Sequence, residues 1–292
     1  MLLEVKELNK SFGDNHVLKD VSFTASSNNI LGLLGRNGHG KSTTMKIMMG
    51  ILYADSGEIT VDGIALTHEN FKLGYLPEAV LNYVALLGWS PGGEQELFTL
   101  KEMLKVFDVS GISKSPAIFD IDKLNHFNSE YIRALPPEEF AKLAEPYIGS
   151  VIKKESISTD AVAGILQARC EKLSDIPEKI DFFEKLPDYD TELYVHKKSK
   201  TDRLISRDML ISAKKALNAL TDWTSESIHD TLIALALGLE VKNATLMWPL
   251  RIATAGKSIT PGGAIEICYI LGREETLRRI DIGIKMIDEI LQ

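Results

Sequence analysis

The stretch Ile30 to Ile47, ILGLLGRNGHGKSTTMKI, constrains this chain more than any other. Ile30 to Leu34 is an unbroken apolar run of the kind that a parallel sheet buries on both faces. Gly35 to Ser42 then reads G-R-N-G-H-G-K-S, a phosphate-binding loop, and the pattern predicts a helix from about Lys41. Phosphate oxygens need several converging backbone N–H groups. Glycines at 35, 38 and 40 let the backbone close around them with no Cβ in the way. Lys41 would bring charge to the β and γ phosphates, and the Ser42 hydroxyl would ligate Mg2+.

The loop does not account for the whole chain, whose 292 residues leave room for two domains. The net charge of -8 excludes indiscriminate nucleic-acid binding, so any RNA site must be a local basic patch. No apolar run approaches the roughly 18 to 20 residues of a membrane span. The start, MLLEVKELNKSFG, lacks the apolar core of a signal peptide, and a cytoplasmic location is expected. Cys170 and Cys268 have no metal-ligand spacing and read as buried thiols in a reducing compartment.

Around the loop, Leu2 to Leu8 and Val21 to Ala25 alternate like half-buried strands, with a turn at Gly13-Asp14-Asn15. The loop helix should end near Gly50, and Glu58 to Val61 forms a short strand closed by Asp62-Gly63. Taken together, KSFGDNHVLKDVSF, GLLGRNGHGKSTTMKIMMGIL and DSGEITVDG resemble the start of the ATP-binding-cassette ATPases of membrane transporters. That resemblance implies ATP and Mg2+ as ligands. Phe12 would stack on adenine, and Asn37, Gly38, Gly40, Lys41, Ser42 and Thr43 would contact phosphate and metal. Asn28-Asn29 and His39 depart from the family pattern.

What such an ATPase needs next is missing: a carboxylate after a second buried strand, a signature loop and a switch histidine. Ser90 to Gln95 imitates the signature loop but is broken by Pro91 and Glu94. Ala117 to Asp120 imitates the acidic strand but no glutamate follows, and Gly256-Lys257-Ser258 lacks the first glycine of a phosphate loop.

From Leu73 the chain resembles another family. GYLPEAVLNYVALLGWSPGGEQELFTLKEMLKVFDVSGISKSPAIFDIDKLNHFNSEYI, PPEEFAKLAEPYI and LMWPLRIATAGKSITPGGAIEICYILGREETLRRI are similar to the glutamyl-tRNA synthetases beyond their catalytic domain. All three imitations lie inside this match. The expected fold class is therefore an α/β P-loop fragment followed by a mainly α-helical bundle. Its parts would be a truncated cassette domain over 1–72, a stem-contact-like region over 73–135 and a helical anticodon-binding region over 136–292.

Helix starts are predicted at Pro136-Pro137-Glu138-Glu139, at Thr159-Asp160, at Ser206 with Asp208 and at Thr224-Ser225-Glu226, with Pro249 and Pro261-Gly262-Gly263 separating the last helices. The resemblance implies tRNA-Glu as a partner. Arg273, Arg278 and Arg279, in the terminal helix, are candidates to stack on or fork to anticodon bases. Lys242, Asn243, Arg251 and Lys257 are further candidates, and Trp248 reads as core. The basic run His196 to Lys215 reads either as a phosphate-contacting patch or as a solvated linker and helix face. Neither the HIGH-like motif nor the KMSKS-like loop of adenylate formation is present, so aminoacylation by this chain alone is not expected.

The word Gly74-Tyr75-Leu76-Pro77-Glu78 fits both families, which favours a chimera. Three functions follow: a tRNA-binding module carrying an ATPase fragment, a transporter ATPase, or a fusion without function. If the first 72 residues lack the rest of their sheet, limited proteolysis will cut first between roughly residues 65 and 80. First cleavage inside the helical region would contradict that expectation.

Overall fold

The computed structural model describes residues 2–26, 40–48, 52–61, 64–65, 74–112 and 120–291. The chain divides into two compact units, Met1–Pro77 and Glu78–Gln292.

The first unit holds a four-stranded sheet in the order β2-β1-β3-β4: β1 (Leu2–Phe12), β2 (Asn15–Ser26), β3 (Ser56–Val61) and β4 (Ile64–Ala65). The strands are longer than their alternating cores suggest, because β1 and β2 pair across the Gly13-Asp14 turn from Phe12↔Asn15 to Leu2↔Ser26. Register shifts between Val5 and Leu8 and around Lys10 accompany left-handed backbone at Glu7 and Asp20. Val5, Leu8, Leu18, Ile59 and Ile47 form the core. Ile47 comes from helix α1 (Lys41–Met48), which begins where the loop pattern puts it. The described sheet is antiparallel throughout, and the parallel strand expected over Ile30 to Leu34 lies outside the described residues.

The second unit is helical: α2 (Pro77–Gly88), α3 (Leu100–Val106), α4 (Ile121–Ala134), α5 (Pro137–Val151), α6 (Thr159–Leu166) and α7 (Ile176–Glu184). It continues with α8 (Arg203–Asn218), α9 (Ser225–Gly238), α10 (Asn243–Ala255), α11 (Ala264–Leu271) and α12 (Arg273–Leu291). Most starts carry their chemical cause. Ser158 caps α6 through Ala161 N–H, Thr224 and Ser227 form a reciprocal cap on α9, and Pro137 opens α5. Asp120, the acid of the imitated strand, caps α4 through the N–H groups of Asp122 and Lys123.

Two boundaries differ from the sequence reading. Helix α8 starts at Arg203, because the Asp202 side chain accepts from Ile205 N–H; Ser206 is buried inside it and donates to Tyr194 O at 3.0 Å. Pro249 does not separate helices but lies buried within α10, where packing outweighs the missing backbone donor.

Helices α8 to α12 enclose a core of Leu210, Ala213, Leu217, Ile228, Leu232, Leu250, Ile280 and others. Cys268 belongs to it, and burial pushes its thiol up to about 12; burial likewise pushes Cys170 up to about 11. Both are therefore protonated at neutral pH.

The largest fully buried side chain among the described residues is Arg279 of α12. Its Nη1 donates to Phe182 O at 2.8 Å and to Thr254 O at 2.6 Å, and its Nε donates to Glu275 at 2.6 Å. One guanidinium thus ties α12 to the ends of α7 and α10. Arg278 also forks onto Glu275, and the two arginines, Arg278 first, hold that carboxyl down at about 2.

We expect Arg279→Leu to cost about 3 kcal/mol in urea unfolding, because buried carbonyls lose their donor and Glu275 loses one of its two cations. Glu275 has a folded pKa below its ordinary 4.5. Its stabilisation is complete above pH 4.5 and is lost as pH falls from there toward 2. Glu275→Gln should flatten that acid limb; an unchanged pH–stability profile would refute the pairing.

Candidate nucleic-acid interface

The six cations singled out in the helical region separate by environment. Arg279 has no exposed surface and is committed to carbonyls, so it has no free face for a base. Arg273 donates to Leu220 O and Thr221 O and lies over the Trp223 ring, clasping the turn between α8 and α9. Lys257 reaches Asp181 and Glu178 O, and Arg278 is exposed but occupied by Glu275. The sequence shows charge but not these partners, which is why all four looked available. Lys242 and Arg251 make no ion pair among the described residues.

Arg251 projects from α10 over the ring of Trp248, 4.6 Å from its centroid. The spacing of three residues on a helix makes the two neighbours. Trp248 is half-buried, donates to Leu193 O at 2.8 Å and stacks on His196 at 3.7 Å with the rings 9° apart. His196 is held by the tight turn 196–201, in which it exchanges backbone hydrogen bonds with Thr201 and its Nδ1 accepts from Ser199 N–H at 3.2 Å. Thr245, in the first turn of α10, donates to Ser199 O at 2.8 Å and fixes the turn to the helix start.

Arg169 completes the cluster. Its Nη1 donates to Thr260 O at 3.0 Å and to Pro261 O at 2.9 Å, holding the loop between α10 and α11. Gly256 lets that loop leave α10: its φ of +65° is left-handed, and a Cβ there would meet Pro187 and Tyr189 at 2.9 Å. Burial, and after it the charge of Arg169, makes Arg251 hold its proton less firmly than usual. No carboxylate pairs with either arginine among the described residues, and Arg251 Nε is buried with no partner. A buried donor left without a partner costs about 1 to 3 kcal/mol.

The basic run His196 to Lys215 splits in two. Arg203, Arg207 and Lys214 pair with Glu192, Asp288 and Asp281 and brace α8. Lys197, Lys198 and Lys200 stand exposed on the turn next to His196, with no ion pair among the described residues. With Lys242 at the start of α10 they extend the positive surface beside Trp248 and Arg251. His196 and Arg169 were not distinguished by the sequence: a lone histidine and a lone arginine carry no pattern until folding brings them to α10.

Comparison with known proteins gives the family of the helical region. The anticodon binding domain profile matches residues 139–284, half of the chain. The chain belongs to the anticodon-binding-domain family. The catalytic domain profile of class I glutamate and glutamine tRNA synthetases matches residues 64–126, and the ABC transporter profile matches residues 18–86. The chain is 48% identical over 232 residues to part of the glutamate–tRNA ligase of Clostridium tetani, covering 79% of this chain and 47% of that protein. For the ligase of Clostridium acetobutylicum the values are 46% over 228 residues, 78% and 47%. The crystal structure of a glutamate tRNA ligase from Elizabethkingia meningosepticum, in complex with its amino acid, is 26% identical with a TM-score of 0.64, covering 80% of this chain and 44% of that one. The chain spans a little under half the length of these relatives.

For the nucleotide site, Asn37 and Gly38 lie outside the described residues, as does the side chain of Ser42. Gly40 is left-handed at φ +77° immediately before Lys41 opens α1, and Thr44 Oγ1 donates back to Gly40 O at 3.0 Å. Thr43 is half-buried in the same turn. Phe12, at the end of β1, is exposed with the Lys10 ammonium 5.7 Å from its ring centroid. Among the described residues no cluster of His, Cys, Asp and Glu is placed to hold a metal, and no helix is long and apolar enough to cross a membrane.

Proposed function

We propose that residues 78–292 hold tRNA-Glu by its anticodon end, as part of a glutamate–tRNA ligase would, in the cytoplasm and without charging it alone. The observation that carries this is Arg251: a guanidinium without an ion pair among the described residues, lying on an aromatic ring beside Arg169, which likewise has no carboxylate partner there. Splayed anticodon bases offer the acceptor edges and flat faces that such a group binds, and the lysines of the 196–201 turn suit the neighbouring phosphates. Aminoacylation needs an adenylate-forming site, and the motifs for it are absent from the sequence. The profiles of the two families overlap over residues 64–86, around the shared word Gly74 to Glu78, which supports reading the chain as a fusion.

Gel shift with tRNA-Glu and with a non-cognate tRNA tests the reading. Selective binding is expected, with Arg251→Ala weakening it roughly 10- to 100-fold, on the scale of one lost base contact of about 1–3 kcal/mol. Equal weak binding to both tRNAs would sink the proposal.

A second reading is nucleotide binding by the first unit, favoured by the left-handed Gly40 and the start of α1 at Lys41. This is the local form a phosphate loop requires, and Mg2+ with ATP would be held by Lys41, Ser42 and Thr43, with Phe12 toward the base. It predicts weak, magnesium-dependent ATP binding by calorimetry that Lys41→Ala abolishes. No heat at millimolar ATP would remove it.

A further inference from the structure

Among the described residues the Arg251 guanidinium has no ion pair, and its buried Nε has no hydrogen-bond partner. A long side chain held by no polar contact samples many rotamers, and a ligand must freeze them on binding. What orders Arg251 instead is a flat surface: its guanidinium carbon lies 4.6 Å from the centroid of the Trp248 ring.

That ring is held from two directions. Its Nε1 donates to Leu193 O at 2.8 Å, which fixes one edge. The His196 imidazole lies face to face with it, the centroids 3.7 Å apart and the planes 9° from parallel. An imidazole so placed covers one face of the indole, and a guanidinium cannot share that face at 4.6 Å without clashing. The layers therefore run His196, Trp248, Arg251.

His196 owes its place to its turn. Its N–H donates to Thr201 O at 3.0 Å, Thr201 N–H returns to His196 O at 3.2 Å, and Ser199 N–H donates to its Nδ1 at 3.2 Å. Lys200 closes the turn with a left-handed φ of 54°, uncommon outside glycine. Thr245 Oγ1 donates to Ser199 O at 2.8 Å and ties the turn to the first turn of α10, the helix that carries both Trp248 and Arg251.

We propose that His196 is a positioning residue for Arg251, acting through Trp248: it clamps the indole so that the guanidinium is ordered before an RNA base arrives. The proposal rests on the reading of Arg251 as an anticodon contact and adds a residue whose own contacts are all within the protein. Its effect is to lower the ordering cost of binding, so its loss weakens affinity without removing a contact to RNA.

The test has an arm without tRNA. In the full chain carrying isotope-labelled arginine, the Arg251 Nε–H signal, identified by its loss in Arg251→Lys, is expected upfield through the ring current of Trp248. His196→Ala should return it toward the position of ordinary arginines. His196→Phe, which keeps a flat ring, should leave it upfield. His196→Asn, which keeps an acceptor for Ser199 N–H but no ring, should not. In the second arm, His196→Ala and His196→Asn should weaken tRNA-Glu binding roughly 3- to 30-fold, the range of a ring–guanidinium contact, while His196→Phe binds like the unchanged chain. The slope of log affinity against log salt should stay the same in all three, since no phosphate contact is lost. An Arg251 signal indifferent to His196→Ala, rescue by Asn in place of Phe, an affinity that His196→Ala leaves unchanged, or a shallower salt slope would overturn the proposal. Absence of tRNA binding by the unchanged chain, with the signals behaving as expected, would fall on the anticodon reading alone and uphold the stack.

Discussion

The helical unit depends on a cation that solvent never reaches. Burying a guanidinium is costly, and Arg279 offsets that cost with Glu275 and two main-chain carbonyls, although its Nη2 still has no partner. What it grips matters for the site. Thr254 lies one turn after Arg251 on α10, and its carbonyl is one of the two that Arg279 holds. The end of α10 is thereby fixed, then the left-handed exit at Gly256, then the loop whose Thr260 and Pro261 carbonyls engage Arg169. The two arginines that no carboxylate pairs among the described residues are presented by a frame that a third, paired with Glu275, closes.

The same residue type thus does opposite work within one bundle. Arg203, Arg207, Arg273, Arg278 and Arg279 have protein acceptors and brace helices. Arg251 and Arg169 have no counter-acid, and the lysines at 197, 198, 200 and 242 lie on the surface beyond Trp248 and His196. A chain of net charge -8 can therefore offer a local cationic face, while its acids repel a polyanion elsewhere.

Much of the helical architecture was legible in the sequence because its causes are local. Caps at Ser158 and Thr224, the proline at 137 and the apolar spacing of α8 and α9 all act within a few residues. Two local signals misled: Asp202 outcompeted Ser206 as a cap, and tertiary packing kept Pro249 inside a helix. The site was less legible, because its decisive facts are long-range. Whether Arg279 or Arg251 is free depends on Phe182, Thr254 and Glu275 in the first case and on Arg169 and His196 in the second. The first unit was legible as strands and a helix start, but residues 35–39 of its organising loop lie outside the described residues.

The central claim is that the Arg251 cluster meets the anticodon end of a tRNA. Chemical footprinting of tRNA-Glu with the chain at saturating concentration tests it most directly. The account predicts protection of the anticodon loop that Arg251→Ala removes. Protection confined to the acceptor end, or anticodon protection that Arg251→Ala leaves unchanged at saturation, would contradict it.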